Sequence, residues 1–306
     1  MKRISFVLIF GFLFLFLAAV QPAFSLSPKV IRAKACIIIN DDDSILYAKN
    51  PSAKLPPAST VKLVTAMVAL DYLDPVMEVI VTRQTATPRS IKPRLIAGDK
   101  LTVSDLLHLV LMKSINSAAV ALAETTAGSE DVFVELMNQK AQEIGANDTH
   151  FENASGLPKG RQYTTARDLT IILKQALTYP LIKEIIGKKE AVITTTAGRE
   201  LYMGNTDALL WYRSNMVGGK TGFTRSARHC FVGAMYTDKG LIYTAVLGAP
   251  SRSRLWAGTL MLADMSANPD LFSTISTTDE RTITTNKKSR NHKHQRAKKR
   301  AKRMDA

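Results

Sequence analysis

Cysteine is scarce in this sequence, because only Cys36 and Cys230 occur among its 306 residues. Two cysteines cannot build a disulfide scaffold, and both lie in apolar runs typical of buried strands, so we predict two unpaired, inert thiols. Long apolar runs are also scarce: after residues 4–20, no stretch is apolar enough to cross a membrane. These absences exclude a small disulfide-stapled domain and a protein with several membrane spans.

Signatures of bound nucleotides and metals are missing as well. The sequence has neither a G-x-G-x-x-G stretch nor a P-loop, so nothing predicts a nucleotide site. His108, His150 and His229 are scattered without the spacing of metal ligands. His292 and His294 lie in a basic stretch that is more typical of a solvated tail than of a metal site. We therefore expect no cofactor and no metal.

The N-terminal segment has the pattern of an export signal. Lys2 and Arg3 precede the apolar run at 4–20, and small residues follow at Ala23 and Ser25. This pattern predicts a secretory signal peptide at residues 1–25, and an uncleaved N-terminal anchor is the alternative. We expect an exported protein of the periplasm or cell-wall space, and association with the outer face of the cytoplasmic membrane is the further option.

Positive charge is concentrated near the other end of the chain. Lys and Arg number 41 against 26 Asp and Glu, and ten of those cations, with one Asp, lie in residues 286–306. We interpret residues 273–306 as a Ser/Thr-rich linker and a basic disordered tail. Residues 287–303 could contact an anionic membrane or cell-wall polymer, and a solubilising tail without a partner is the alternative. Export argues against nucleic acid as a partner.

The order of the apolar segments predicts a mixed fold. Two apolar runs joined by three aspartates predict a hairpin at residues 33–49. Three more strands are predicted at 215–220, 229–237 and 241–248. Helices are predicted at 59–73, 103–111, 117–126, 131–144, 165–177 and 252–268. Strands at both ends of the folded region, with helices between them, indicate an α/β or α+β sandwich.

Ser59-Thr60-Val61-Lys62 is the first candidate catalytic motif. It precedes an apolar helical segment, and residues three apart on a helix share one face. A lysine amine placed there can accept the serine proton and make the hydroxyl a nucleophile. The alternatives are a serine that caps the helix and a lysine on the surface. The helix is apolar nearly all round, which argues for a buried lysine.

Two further motifs follow in order, Ser114-Ile115-Asn116 and Lys220-Thr221-Gly222. The first falls between two predicted helices, where an ordinary helix break is the alternative, and the second follows a predicted strand. Each motif alone is weak evidence. S-x-x-K, S-x-N and K-T-G in this order are the signature of penicillin-binding proteins and class A β-lactamases.

With its flanking segments, the sequence resembles the low-molecular-mass penicillin-binding proteins of the D-alanyl-D-alanine carboxypeptidase type, family S11 of the serine peptidases. The resemblance covers about residues 33–268 and includes the stretches 151–158, 163–169 and 218–224. It implies an antiparallel sheet with helices on both faces plus an all-helical subdomain, with a catalytic domain at 26–272. It also implies a serine DD-peptidase that acts on peptidoglycan stem peptides ending in D-Ala-D-Ala and is inhibited covalently by β-lactams.

The resemblance implies catalytic roles for three residues. Ser59 would be the nucleophile that forms an acyl-enzyme, Lys62 the general base, and Ser114 the proton relay to the leaving group. Lys62 must be neutral part of the time, and we expect burial and the second cation of Lys220 to lower its pKa.

Substrate-binding roles follow from the same resemblance. Asn116 would position the substrate, and Lys220 with Thr221 would hold its terminal carboxylate. Gly222 would leave room for the substrate backbone. The backbone N–H groups of the nucleophilic serine and of Phe223 would form the oxyanion hole.

Departures from the family pattern leave alternatives open. Phe223 replaces a His found in some carboxypeptidases and is similar to shorter endopeptidase relatives, so a DD-endopeptidase that cuts cross-links is the main alternative. Asp207 stands where an Asn is common. A β-lactamase is less favoured, because no Glu-x-x-x-Asn between Ser114 and Lys220 places a glutamate suited to activate the deacylating water. An exported polyanion-binding protein is the rival of a different class.

Overall fold

A computed structural model of the protein describes residues 31–87 and 92–267. Its centre is a five-stranded antiparallel sheet with the order β2-β1-β9-β8-β7. The strands of the described residues are β1 (Ala35–Asn40), β2 (Ile45–Lys49), β3 (Glu78–Ile80), β4 (Lys100–Thr102), β5 (Glu190–Thr194), β6 (Glu200–Gly204), β7 (Met216–Thr224), β8 (Arg228–Thr237) and β9 (Gly240–Ala249). The predicted hairpin and the three later strands are therefore confirmed, although β7 continues through the K-T-G motif.

The predicted helices are confirmed to within a few residues at their ends. The helices are α1 (Lys62–Tyr72), α2 (Arg83–Ala86), α3 (Val103–Leu111), α4 (Asn116–Ala127), α5 (Glu130–Glu143), α6 (Ala166–Ala176), α7 (Pro180–Gly187), α8 (Leu209–Tyr212) and α9 (Arg252–Ala267). One start differs, because the chain first makes a 3₁₀ turn at Ala58–Val61 before α1 begins.

Local signals in the sequence explain where several helices begin and end. The Thr102 hydroxyl accepts the backbone N–H of Asp105, whose carboxylate accepts the Thr102 N–H, so α3 begins with a complete capping box. Gly128 and Gly145 follow α4 and α5 in the left-handed conformation, with φ of 77° and 84°. Glycine adopts this conformation without the steric cost of a Cβ atom, which explains both helix ends.

The sheet is covered by helices on both faces, which confirms the predicted fold class. On β1, Ile37 and Ile39 belong to the large core cluster that includes residues of α1, α3, α4 and α6. Ile38 points the other way and belongs to a second cluster with Leu255 and Leu262 of α9. Successive side chains of a strand face opposite sides, so a strand buried on both faces reads as an unbroken apolar run.

The two cysteines lie on different strands and on opposite faces of the sheet. Cys36 of β1 belongs to the cluster against α9, whereas Cys230 of β8 belongs to the large cluster on the other face. Strand β9 lies between β1 and β8, so the two cysteines are separated by two inter-strand steps of about 4.8 Å each. This separation exceeds the roughly 7 Å between Cα atoms that a disulfide tolerates. No disulfide joins these two buried residues. Burial raises the pKa of the Cys230 thiol to about 11, so this thiol is inert at neutral pH.

Several small elements were not anticipated. Strands β3 and β4 form one two-stranded sheet, and β5 and β6 form another. Strands β3 and β4 have three residues each, too few for a clear alternating pattern. In the second pair, Val192 and Tyr202 lie opposite each other on the solvent face, so the apolar residues do not alternate with polar ones as they do in a half-buried strand.

Some predictions concern residues that the structure does not describe. The predicted signal peptide at 1–25 and the predicted linker and tail at 273–306 lie outside the described residues, as do His292 and His294. Among residues 31–87 and 92–267, no helix combines the length and apolarity that a membrane span requires.

Candidate active site

Ser59 lies in the 3₁₀ turn that leads into α1. Its hydroxyl does not cap the helix; instead its Oγ accepts a hydrogen bond from Lys62 Nζ at 3.0 Å. The preceding residue, Ala58, is buried and has a φ of 51°, a conformation that non-glycine residues seldom adopt. This turn directs the Ser59 side chain away from capping and toward the lysine one turn along the chain.

Lys62 is fully buried, which contradicts the surface alternative. Its ammonium nitrogen donates to Ser59 Oγ, to Asn116 Oδ1 at 2.7 Å and to the carbonyl oxygen of Ser155 at 2.6 Å. Burial, followed by the positive charge of Lys220, holds the pKa of Lys62 well below its usual value. A larger neutral fraction makes this amine a competent proton acceptor.

Ser114 and Asn116 lie at the junction between α3 and α4. Ser114 has a φ of 63°, and its Oγ is buried without a hydrogen-bond partner among the described residues. Asn116 is the first residue of α4 and contacts Lys62 through its side-chain oxygen. The break between the helices therefore brings a hydroxyl and an amide to the rim of the same cleft as Ser59.

Strand β7 carries the K-T-G motif along the edge of the sheet. The Lys220 side chain is fully buried and donates to the Thr221 carbonyl oxygen at 3.1 Å. Gly222 passes so close to the 3₁₀ turn that a Cβ atom there would lie 2.9 Å from the Ser59 backbone nitrogen. Glycine at 222 is thus required for the strand to approach the serine backbone this closely. The next residue, Phe223, is 55% exposed, and its ring packs on that of His229 with centroids 4.5 Å apart.

These elements enclose a cleft of about 470 Å³. The predicted site residues that line it are Ser59, Ser114, Asn116, Thr221, Gly222 and Phe223. Lys62 and Lys220 do not line the cleft; both lie buried behind it. The structure therefore gathers all eight predicted residues at one place, with the Ser59 hydroxyl reachable from solvent and the two amines shielded from it.

Sequence reasoning missed the loop that supplies the Ser155 carbonyl. The Asn153 side-chain oxygen accepts the N–H groups of Ser155 and Gly156, and its amide nitrogen donates to Leu157. Gly156 has a φ of 78°, and a Cβ atom there would lie 2.0 Å from the Ala58 carbonyl oxygen. The loop is thereby locked against the 3₁₀ turn. In the sequence this stretch shows only a family resemblance, because the atom that contacts Lys62 is a backbone oxygen that residue type does not identify.

The far wall of the cleft was also missed. Arg252, Leu255 and Trp256 of α9 line it, and the Trp256 indole packs edge-on against Phe231 with ring centroids 5.0 Å apart. The sequence predicted only that a closing helix occupies this segment. Its contribution to the cleft depends on how the helix crosses the sheet.

The segment before α8 forms a hydrogen bond with the K-T-G motif. The Thr221 hydroxyl donates to Thr206 Oγ1 at 2.6 Å, and Thr206 in turn donates to the Met112 carbonyl oxygen. The next residue, Asp207, is fully buried. Burial lowers the pKa of Lys220 to about 7, and the negative charge of Asp207 opposes this shift. Burial raises the pKa of Asp207 to about 7, and the Leu209 N–H and the positive charge of Lys220 oppose that shift.

A buried lysine within hydrogen-bond distance of a solvent-reachable serine, beside a glycine-bearing edge strand, defines a serine acyl-transfer site. Comparison with known proteins leads to the same class. A family model described as D-alanyl-D-alanine carboxypeptidase, peptidase family S11, matches residues 22–251. The chain belongs to this family. The sequence-based prediction of a serine DD-peptidase of the carboxypeptidase type is confirmed.

Individual relatives span most of the chain. It is 37% identical over 224 residues to the D-alanyl-D-alanine carboxypeptidase DacB2 of Mycobacterium tuberculosis. The aligned region covers 71% of this chain and 75% of the relative. The chain is 32% identical over 246 residues to the D-alanyl-D-alanine endopeptidase of Escherichia coli, covering 76% and 79%.

Solved structures are similar over the same region. A crystal structure of a D-alanyl-D-alanine carboxypeptidase from Mycobacterium tuberculosis superposes with a TM-score of 0.74 at 32% identity, covering 81% of this chain and 95% of that one. A mutant of the Streptomyces K15 DD-transpeptidase gives a TM-score of 0.72 at 28% identity, with 77% and 97% covered.

Proposed function

We propose that this chain removes the terminal D-alanine from peptidoglycan stem peptides ending in D-Ala-D-Ala, and that β-lactams acylate the same serine. The hydrogen bond between Lys62 Nζ and Ser59 Oγ is the observation that carries the proposal, because it joins a nucleophile to a base of lowered pKa. The family membership supports the substrate class.

The acylation step uses the groups of the cleft in sequence. Ser59 Oγ attacks the carbonyl carbon of the penultimate D-alanine while its proton passes to Lys62. The backbone N–H groups of Ser59 and Phe223 donate to the resulting oxyanion. The C–N bond then breaks, and the proton returns through the Ser114 hydroxyl to the amine of the leaving D-alanine. Water later hydrolyses the serine ester and releases the shortened peptide.

The edge strand supplies the groups that bind the substrate. Lys220 attracts the terminal carboxylate through its charge, and the hydroxyl of Thr221 donates to it. Asn116 holds the peptide from the opposite side. The unpaired edge of β7 beside Gly222 accepts the extended substrate backbone.

Fast β-lactam hydrolysis is not expected from this cleft. Glu143 and Asn147 have the Glu-x-x-x-Asn spacing, but Glu143 ends α5 and pairs with Lys140 at 3.4 Å. Glu152 contacts His150 at 3.6 Å and the backbone N–H of Arg161. Among the described residues, no aspartate or glutamate lines the cleft to activate a deacylating water.

Analysis of muropeptide products tests the proposal most directly. The purified protein, incubated with pentapeptide muropeptides, should yield tetrapeptides and free D-alanine, detected by mass spectrometry as the loss of one alanine. Cross-linked dimers in the same mixture should stay intact. Conversion of dimers to monomers without loss of terminal alanine would contradict the carboxypeptidase assignment and favour the endopeptidase alternative.

We further propose that residues 26–272 form the exported catalytic unit, in the periplasm or cell-wall space, and that the basic tail is an accessory anchor. The ten cations of 286–306 lie beyond every residue of the cleft. A polybasic segment is attracted to anionic lipid or cell-wall polymer by its charge. This attraction would hold the enzyme near its substrate without any part in the chemistry.

Truncation after Thr285 is expected to leave turnover of a small D-Ala-D-Ala peptide nearly unchanged. It should weaken co-sedimentation with anionic vesicles and with cell-wall sacculi, and binding of the full-length protein should fall with added salt, because exposed charges are screened. Both forms are compared across a salt series. Loss of turnover would assign the tail to the active fold, and equal co-sedimentation at low salt would leave only the solubilising role.

A further inference from the structure

Asp207 is a buried acid next to the substrate-binding strand for which the acyl-transfer steps have no use. Its Oδ1 accepts the N–H of Leu209 at 2.9 Å. Its Oδ2 is buried and has no hydrogen-bond partner among the described residues. An asparagine has the same shape and could accept the Leu209 N–H equally well. The negative charge therefore requires an explanation that the turn does not supply.

The position of Asp207 is held rigidly behind the K-T-G motif. Its backbone N–H donates to Asn205 Oδ1, and the Asn205 amide donates to the carbonyl oxygens of Ile186 and Lys188. The neighbouring Thr206 hydrogen-bonds the Thr221 hydroxyl. The Thr206–Thr221 hydrogen bond thus joins the segment before α8 to β7, and Asp207 and Lys220 each directly follow or precede one partner of that bond.

Three charged groups interact here, on α1, on β7 and in the segment before α8. Lys62 of α1 and Lys220 of β7 are cations whose mutual repulsion opposes charging of Lys62, and Asp207 supplies the negative charge that favours charging of Lys220. Asp207 and Lys220 are both fully buried and form no direct ion pair. Opposite charges in such a shielded place interact strongly even without contact, because the local dielectric constant is low.

We propose that Asp207 is a positioning residue that acts through Lys220: its buried carboxylate keeps Lys220 in the ammonium form, whose charge attracts the terminal carboxylate of the substrate. The proposal rests on the carboxylate-binding role of Lys220. Without the negative charge of Asp207, the buried Lys220 would lose its proton at a lower pH and with it the charge that attracts the substrate.

The variant Asp207→Asn isolates the charge, because it keeps the shape and the acceptor for the Leu209 N–H. Acylation rates are measured from pH 5 to 9 with benzylpenicillin, which carries a carboxylate, and with its methyl ester, which does not. We expect the alkaline limb for the free acid to shift downward by about one pH unit, so that the rate at pH 8 falls about tenfold. The rate with the methyl ester should not change.

Two controls separate charge from structure. Asp264→Asn removes an exposed carboxylate of α9, which pairs with Arg213 at 3.8 Å, and should leave both profiles unchanged. In a Lys220→Arg background, Asp207→Asn should produce no shift, because arginine stays protonated throughout this range. If Asp207→Asn does not fold, Asp207→Ser takes its place, since its hydroxyl can accept the Leu209 N–H without a charge.

Identical profiles for wild type and Asp207→Asn, or equal losses on the free acid and the ester, would overturn the proposal. Failure of the wild-type protein to be acylated by benzylpenicillin would instead refute the proposed function. The two failures are therefore distinguishable.

Discussion

Replacement of Ser59 with alanine is expected to abolish covalent labelling by a fluorescent penicillin. In the proposed mechanism the acyl bond forms at the Ser59 oxygen, and no other hydroxyl in the described residues accepts a hydrogen bond from the buried Lys62 amine. The fold should survive, because the Ser59 side chain neither caps a helix nor packs in the core. We expect the free energy of unfolding to change by no more than about 0.5 kcal/mol.

Labelling is measured on denaturing gels, and stability by thermal unfolding. Ser226→Ala is a matched control, since Ser226 is exposed in the turn after β7 and does not line the cleft. It should be labelled like the wild type. Labelling that survives in Ser59→Ala would show that another residue is the nucleophile.

The part of the site that sequence can predict is the part set by local geometry. Ser59 and Lys62 are three residues apart, and a helical turn places such residues within hydrogen-bond distance whatever surrounds them. The apolar helix after them made burial of the lysine predictable, because a helix that is apolar on all sides is enclosed by the core. Likewise, the unbroken apolar run at 35–39 is typical of a buried strand, and the structure buries this strand on both faces.

The remainder depends on contacts between distant segments. The Ser155 carbonyl meets Lys62 across 93 positions of sequence, and a backbone oxygen leaves no trace in residue type. In the sequence Asp207 is only a departure from the family pattern, because nothing local shows that its carboxylate is buried and acts on Lys220. These contacts follow from how the loop and the turn pack on the helix and sheet, which pattern alone does not determine.

The two lysines of the site are expected to respond differently to replacement by arginine. Lys62→Arg keeps a positive charge but cannot supply a neutral amine, because arginine stays protonated. Loss of general-base catalysis typically costs about 10²–10⁴-fold in rate, so acylation by penicillin should fall by that amount. Lys220→Arg retains a cation for the terminal carboxylate and should keep a substantial part of the acylation rate.

The pH dependence distinguishes the two roles further. The neutral fraction of Lys62 grows as pH rises through its lowered pKa, so the wild-type acylation rate should rise with pH on the acid side. This limb should vanish from the residual activity of Lys62→Arg, and Lys220→Arg should retain it. Stopped-flow acylation rates between pH 5 and 9 provide the measurement, with thermal unfolding to confirm that both buried arginines are accommodated. Comparable rate losses in the two variants, with both acid limbs retained, would argue that neither amine accepts the serine proton.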